Sequence, residues 1–343
     1  MSIQGRLRSD AATAAAIHPV ATADSRPTLS VVAPCYNEEK VLQTFCERVL
    51  GACRVACGDD FELILVNDGS RDQTWALIQA LAEREAGVIG VNLARNHGHQ
   101  LAVTAGVQLA RGERVLIIDA DLQDPPELLV EMMGRMDEGF DVVYGRRRLR
   151  ERESPFKLAT ASLFYRLLRA MSDVEIPADV GDFRLMSRRI VDRLNAMPEQ
   201  DRFLRGMVAW LGGRQVELVY DRDPRHAGAT GYTLSKMLRL ALDGFTSFST
   251  APLRMATLMA SLGVFAAIGL AAYVIAGFFL GRTIPGWASL ALIVVFFSTA
   301  QLVCLAIFGE YLGRAYMQGK QRPLYLIDEI VVQGADDELL KGR

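Results

Sequence analysis

Two stretches of this chain carry no charge at all: Met255 to Leu280 and, after the short run Gly281-Arg282-Thr283-Ile284-Pro285-Gly286, Trp287 to Phe308. Each exceeds the roughly 20 residues that a helix rising 1.5 Å per residue needs to cross a bilayer. Backbone groups in lipid must be satisfied inside the segment, so runs of this kind are restricted to helix. They predict a transmembrane hairpin over 252–316, with spans at about 255–280 and 287–308. A hairpin buried inside a soluble protein is the alternative. Trp287 opens the second span at the depth where indoles favour the interface. Lys236, Arg239 and Arg254 precede the first span, Arg314, Lys320 and Arg322 follow the second, and only Arg282 lies between them. The positive-inside rule then puts both termini in the cytoplasm.

The rest of the chain is organised around that hairpin. Residues 1–27 are rich in Ala, Ser, Thr and Asp without periodicity and predict a disordered tail. Residues 28–230 alternate strand and helix patterns. Strands are expected at Leu29–Ala33, Phe61–Val66, Val88–Leu93, Val115–Ile118, Asp141–Tyr144 and Gln215–Tyr220, with helices between the first five, at Phe156–Met171 and at Arg188–Met197. Val41, Leu42, Phe45, Val49 and Leu50 mark the buried face of the first helix, and Ser70 or Asp72 can cap the second. This order predicts an α/β domain with a doubly wound parallel sheet. In 231–251 the apolar Leu234, Met237, Leu238, Ala241, Phe245 and Phe248 oppose Lys236, Arg239 and Asp243. That pattern fits an interfacial amphipathic helix or a helix packed on its own domain. Residues 317–343 read as a cytoplasmic tail ending in Asp336-Asp337-Glu338.

One strand ends in chemistry. Val115-Leu-Ile-Ile runs into Asp119-Ala-Asp121-Leu-Gln123-Asp124, and Pro125-Pro126 then opens a helix at Glu127. Carboxylates at the carboxyl end of a parallel strand sit where open α/β sheets bind ligands. Asp-x-Asp with a nearby amide oxygen is a hard, oxygen-only set suited to Mg²⁺ or Mn²⁺ held together with a substrate's phosphates. A solvated turn after a strand is the other reading of a lone Asp-Ala-Asp.

Composition narrows the partners. A formal net charge of -2 gives no argument for nucleic acid, and the mean hydropathy of +0.16 agrees with membrane segments. Cys35, Cys46, Cys53, Cys57 and Cys304 are odd in number and match no zinc spacing, which predicts reduced thiols in the cytosol. A sheet domain with a metal–diphosphate site, tethered to a membrane hairpin, suggests transfer from a nucleotide-sugar to a lipid.

Four motifs in order, Pro34-x-Tyr36-Asn37-Glu38, Val66-Asn67-Asp68-Gly69-Ser70, Asp119-Ala-Asp121-Leu-Gln123-x-Pro125 and Gly181-Asp182-Phe183-Arg184-Leu185, resemble the family 2 glycosyltransferases with the GT-A fold. The chain is most similar to the polyprenyl-phosphate glycosyltransferases, relatives of dolichol-phosphate mannosyltransferase. Arg202-Phe-Leu-Arg205-Gly206 and Phe308-Gly309-Glu310-Tyr311-Leu312-Gly313-Arg314 resemble the bacterial branch with two membrane helices after the catalytic domain.

The resemblance implies a role for each matching residue. Pro34, Tyr36 and Glu38 would hold the base and ribose of a UDP-sugar, with Tyr36 stacking on uracil or serving only as a packing ring. Asp68 would read the uracil edge, or cap a helix, and Asp119 would face the ribose or sugar. Asp121 and Gln123 would bind the Mg²⁺ or Mn²⁺ cofactor. Arg147 and Arg184 would clamp the phosphate of a polyprenyl acceptor such as undecaprenyl phosphate, while the run Arg146, Arg147, Arg148, Arg150 and Arg152 also fits a patch for anionic lipid. Asp182 would orient or deprotonate the acceptor, and His97 and His99 could approach the diphosphate or serve only as surface loop residues.

The implied reaction is an inverting transfer of one sugar at the bacterial inner membrane, serving cell-envelope or surface-glycan modification. Family analogy adds a homotetramer. A processive polysaccharide synthase and a non-catalytic nucleotide-binding scaffold are the alternatives. Arg202-Phe-Leu-Arg205-Gly206 lacks the Trp of the Gln-x-x-Arg-Trp run of the synthases, which favours a single transfer.

Overall fold

The computed structural model describes residues 26–148, 180–221, 251–280 and 287–333. Several sequence expectations lie outside those residues: most of the tail 1–27, the helix at Phe156–Met171, Arg150 and Arg152, the amphipathic stretch from Thr233 to Phe248, the turn 281–286 and the acidic end.

The chain forms two compact units, one drawn from 1–155, 176–231 and 323–343, the other from 156–175 and 232–322. The first is a mixed α/β unit. Strands β1 (Leu29–Cys35), β2 (Phe61–Asn67), β3 (Val88–Leu93) and β4 (Arg114–Ile117) alternate with helices α1 (Leu42–Cys57), α2 (Thr74–Arg84) and α3 (His99–Leu109). Helix α4 (Leu129–Asp137) and strands β5 (Val142–Arg147) and β6 (Val180–Ser187) follow. Helices α5 (Arg188–Ala196) and α6 (Leu204–Leu211) then lead to β7 (Gln215–Tyr220). Every residue of β1 and β2 is buried, as expected of near-continuous apolar strands covered on both faces.

With β8 (Ile327–Val332), the eight strands lie in the order β7-β5-β6-β4-β1-β2-β3-β8. Strand β1 pairs in parallel with β2 on one side and with β4 on the other, so the order reverses at β1 and opens a crevice at the carboxyl ends of β1 and β4. The expectation of a parallel sheet needs two corrections. Strand β6 enters antiparallel between β4 and β5, aligning Arg184 with Ile117 and with Tyr144. Strand β8 (Ile327–Val332) comes from the stretch read as a tail and closes the other edge, antiparallel to β3. The alternation of β6 is plain once the strand is known: Phe183 and Leu185 point one way, Asp182 and Arg184 the other.

Local chemistry shapes the elements as the sequence predicts in several places. Helix α1 buries Leu42, Phe45, Cys46, Val49, Leu50 and Cys53 along one stripe. Asp72, not Ser70, serves the start of α2, its Oδ1 accepting from the Thr74 amide at 3.0 Å and from the Thr74 hydroxyl at 2.6 Å. Helix α3 lies so close to β1 that a β-carbon at Gly106 would sit 2.3 Å from Cγ1 of Val32. All five cysteines are free thiols, and burial pushes those of Cys46 and Cys53 up to about 12.

The second unit holds two long helices, α7 (Ala251–Phe279) and α8 (Trp287–Lys320). They run antiparallel: Cys304 Sγ lies 3.6 Å from the Ala256 carbonyl oxygen, and Gly263 faces Phe297. Within α8, Phe296–Lys320 is by length and composition apolar enough to cross a membrane. The helix continues well past Phe308, so Glu310 and Arg314 lie one turn apart and pair at 3.0 Å.

Gly106→Ala should destabilise the sheet unit by about 1–3 kcal/mol, because Val32 and α3 must move apart. Gly51→Ala, in α1 with nothing within 4 Å of the added carbon, should be neutral or slightly stabilising. Denaturant unfolding of the two variants checks the contrast.

Candidate active site

The crevice at the β1/β4 reversal is walled by loops that hold one another. Pro34, near the end of β1, is buried, and Tyr36, just after the strand, is 43% exposed. Asn37, with φ of 57°, donates its amide to Ser70 Oγ at 3.0 Å, and its side-chain Oδ1 accepts from the Arg71 amide at 2.9 Å. The Glu38 amide bonds Thr74 Oγ1 at 2.9 Å. The Tyr36–Glu38 loop is therefore locked to the loop after β2.

That second loop carries Asp68, which is buried. Its Oδ1 accepts from the His97 amide at 2.7 Å and its Oδ2 from the Gly98 amide at 3.0 Å. Burial pushes its pKa up, and the two amides pull against that. Asn96 Nδ2 donates to the Asp68 carbonyl at 3.0 Å. Gly69 makes the approach possible: its φ is +63°, and a β-carbon there would lie 2.5 Å from the Asn96 nitrogen. Asp68 thus latches the β3–α3 turn at the head of α3, while Asp72 serves the start of α2.

After β4 the chain turns through Leu122, which has φ of 61°. Asp121 Oδ1 accepts from the Gln123 amide at 3.1 Å, and Gln123 is buried. Asp124 is buried beneath the hydroxyl of Tyr220, which donates to its Oδ1. Asp119 Oδ1 is buried without a hydrogen-bond partner among the described residues, 3.6 Å from His99 Nε2. Burial pushes Asp119 up to about 6; His99 opposes this, while Asp182, Asp124 and Asp121 add to it.

Antiparallel β6 brings Asp182 to the same edge, where His99 lies between it and Asp119. Arg205 Nε donates to its Oδ1 at 2.8 Å. Its Oδ2 accepts from Arg205 Nη2 at 3.2 Å and Gln100 Nε2 at 3.1 Å, and lies 3.0 Å from His99 Nε2. Burial alone would raise this carboxyl, but the His99 hydrogen bond and the Arg205 guanidinium hold it well below the usual carboxylate range. In turn Asp182 and Asp119 raise His99 against the effect of its own burial.

These contacts correct three expectations. Asp182 is an ionised anchor with both oxygens engaged, not an open base. Arg184 is buried at 3% exposure, donates Nη2 to the Gly181 carbonyl at 3.1 Å, and is lowered to about 10 by burial, so it is a framework cation rather than an open clamp. His99 is no idle loop residue, because it joins the two carboxylates. Arg147 ends β5 beside Tyr220 in backbone pairing, and its side chain lies outside the described residues. Sequence reasoning set His99 aside as a loop residue, gave Arg205 no role of its own and did not single out Gln100. Their signals were a His-Gln pair opening the helix after β3 and the second arginine of Arg202-Phe-Leu-Arg205.

The edge is a polar, carboxylate-rich site at a topological switch point, the place where α/β enzymes bind phosphorylated ligands. Known proteins share the chain that builds it. Glycosyl transferase family 2 matches residues 30–194. The uncharacterized glycosyltransferase YkcC of Bacillus subtilis is 43% identical over 88% of this chain and 93% of its own. The prophage bactoprenol glucosyl transferase homolog of Escherichia coli is 35% identical over 88% and 99% of the two chains. The bactoprenol glucosyl transferase of Shigella phage SfV is 36% identical over 87% and 97%. The chain belongs to glycosyl transferase family 2 and is a glycosyltransferase enzyme.

Asp182→Asn should remove about 3 kcal/mol at pH 7, since it leaves Arg205 and Arg184 without their anion. The folded pKa is depressed, so the wild-type advantage is full above the ordinary value of 3.8 and falls as pH drops through the lower folded value. Urea unfolding of both proteins from pH 7 down to pH 3 measures that gap.

Proposed function

We propose that this enzyme transfers one sugar from a UDP-sugar to a polyprenyl phosphate at the cytoplasmic face of a bacterial inner membrane. The observation that carries the reading is the single sheet edge on which Asp119, Asp121 and Gln123 stand beside the His99–Asp182–Arg205 cluster. Support for the acceptor comes from relatives at 35% and 36% identity whose names specify bactoprenol, a polyprenyl lipid. Support for the membrane comes from the apolar segment of α8 and from Leu258, Leu262, Phe265 and Ile268 standing exposed along α7. The two-span hairpin follows as part of the proposal.

The donor side is Pro34, Tyr36, Glu38, Asp68 and Asp119, in a GT-A arrangement. The exposed ring of Tyr36 is available for stacking on a base. Mg²⁺ or Mn²⁺ fits Asp121 and Gln123. Asp119, Asp121, Asp124 and Asp182 crowd within electrostatic reach, and an unpartnered buried carboxylate oxygen faces the same place. A cation held by two protein groups would take its remaining ligands from phosphates. When bound, such a cation supplies charge neutralisation to the diphosphate leaving group.

On the acceptor side, a lipid phosphate with a second pKa near 6 is largely dianionic at neutral pH and needs no strong base. This agrees with Asp182 being fully engaged. Its part is to hold Arg205, whose guanidinium is the cationic group offered to the incoming phosphate, with Arg147 kept as the second candidate clamp. In-line attack by that phosphate inverts the anomeric centre.

Membranes containing the enzyme should move radiolabel from UDP-glucose or a related UDP-sugar into the organic phase, one sugar per lipid, and EDTA should stop the reaction. Asp121→Ala should lower the rate at least a hundredfold. Undiminished transfer in that variant removes the metal assignment, and a ladder of longer products replaces single transfer with polymerisation. Arg205→Ala should slow transfer more than tenfold, and Arg205→Lys should restore little, because a point charge does not reproduce the fork on Asp182.

A further inference from the structure

Strand β8 reaches the donor side of the site, where nothing in the sequence places it. It pairs antiparallel with β3, setting Ile330 against Val91 and Ile327 against Leu93. The residues just before it clasp the β3–α3 turn. The Leu326 carbonyl accepts from the Ala94 amide at 2.9 Å, and the Leu326 amide lies 3.4 Å from Nε2 of His97. Burial, with the charge of Arg95, lowers His97, which favours the neutral ring able to accept that bond. The Tyr325 hydroxyl donates to Gln108 Oε1 on α3, the helix that follows the turn. Further along, Asp328 Oδ2 is 3.5 Å from Asn92 Nδ2, and Asn92 Oδ1 accepts from Asn67 Nδ2 at 2.7 Å, one residue before Asp68.

The turn so gripped, Ala94–Gly98, is the one whose His97 and Gly98 amides hold the Asp68 carboxylate. Asp68 has the inner side of the turn and the segment entering β8 has the outer side. An antiparallel edge strand also buries main-chain donors that would otherwise leave the end of β3 frayed. We propose that Tyr325–Val332 is a brace for the nucleotide-binding edge: by fixing the β3–α3 turn it sets the position of Asp68 and thereby the affinity for the donor nucleotide. Tyr325, Leu326 and His97 are positioning residues, since none of them need touch the ligand. The inference rests on the reading of Asp68 as part of the donor site.

The test uses the full-length enzyme and UDP with Mn²⁺ as the probe. Tyr325→Phe removes one hydroxyl and leaves β8 paired; a chain stopped after Arg322 removes the strand entirely. Tyr325→Phe should weaken UDP binding and raise the donor KM about fivefold, the size expected for one lost hydrogen bond acting through a neighbour. Its kcat and acceptor KM should stay within about twofold of wild type. The truncated chain should lose UDP binding by more than tenfold. If it fails to fold, as read by circular dichroism, the decision falls to Tyr325→Phe alone. Unchanged UDP affinity and donor KM in Tyr325→Phe overturn the brace, and so does a fall in kcat with donor KM unmoved. Failure of the wild-type enzyme to bind UDP would instead overturn the donor assignment itself.

Discussion

The Asp182 carboxylate is the charge on which the catalytic edge is built. It sits on an antiparallel strand inserted into a parallel sheet, and it is nearly sealed from solvent. A bare carboxylate there would be costly. Arg205 from α6 and His99 and Gln100 from α3 meet that cost with directed hydrogen bonds, and Arg184 adds its charge at 3.9 Å. The same bonds fix the heads of two helices against the sheet, because Gln100 also accepts from the Leu204 amide through its Oε1 at 3.0 Å. An electrostatic requirement has become a geometric one.

The donor side follows the same logic with neutral partners. Asp68 draws in two backbone amides of the β3–α3 turn, Asn37 and Glu38 bond to the β2–α2 loop, and Gly69 permits the contact between loops. Loops that lie on the rim of a rigid sheet are normally the mobile part of an α/β enzyme. Here they are cross-tied, so side chains at the crevice are positioned before a ligand arrives. Pre-organised polar groups of this kind stabilise developing charge without reorganising at the moment of reaction.

The two halves meet at Asp119. Its buried oxygen lies close to His99, and the neighbouring carboxylates raise its proton affinity. Three acidic neighbours act on Asp119 along this short length of edge, and that crowding is the charge pattern from which the proposed cation site is argued. The family assignment and this charge pattern agree with the proposed donor, whose departing diphosphate a bound cation would neutralise.

Much of this was legible in the chain itself. The apolar runs placed β1, β2 and β3 nearly to the residue, because strands covered on both faces are mostly apolar, and alternation placed the edge strand β7. The loop residues Tyr36, Asp68 and Asp121 were identifiable because they follow those strands directly, and the long uncharged stretches could be nothing but helix. What the sequence could not decide was which distant pieces share an edge. His99 and Asp182 are 83 residues apart, Gln100 and Leu204 are 104 apart, and β8 pairs with a strand more than 200 residues earlier. Local pattern records whether a residue is covered, not what covers it. Strand order engaged both Asp182 oxygens, buried Arg184, set His99 between two carboxylates and brought the last strand against β3 and the turn that follows it.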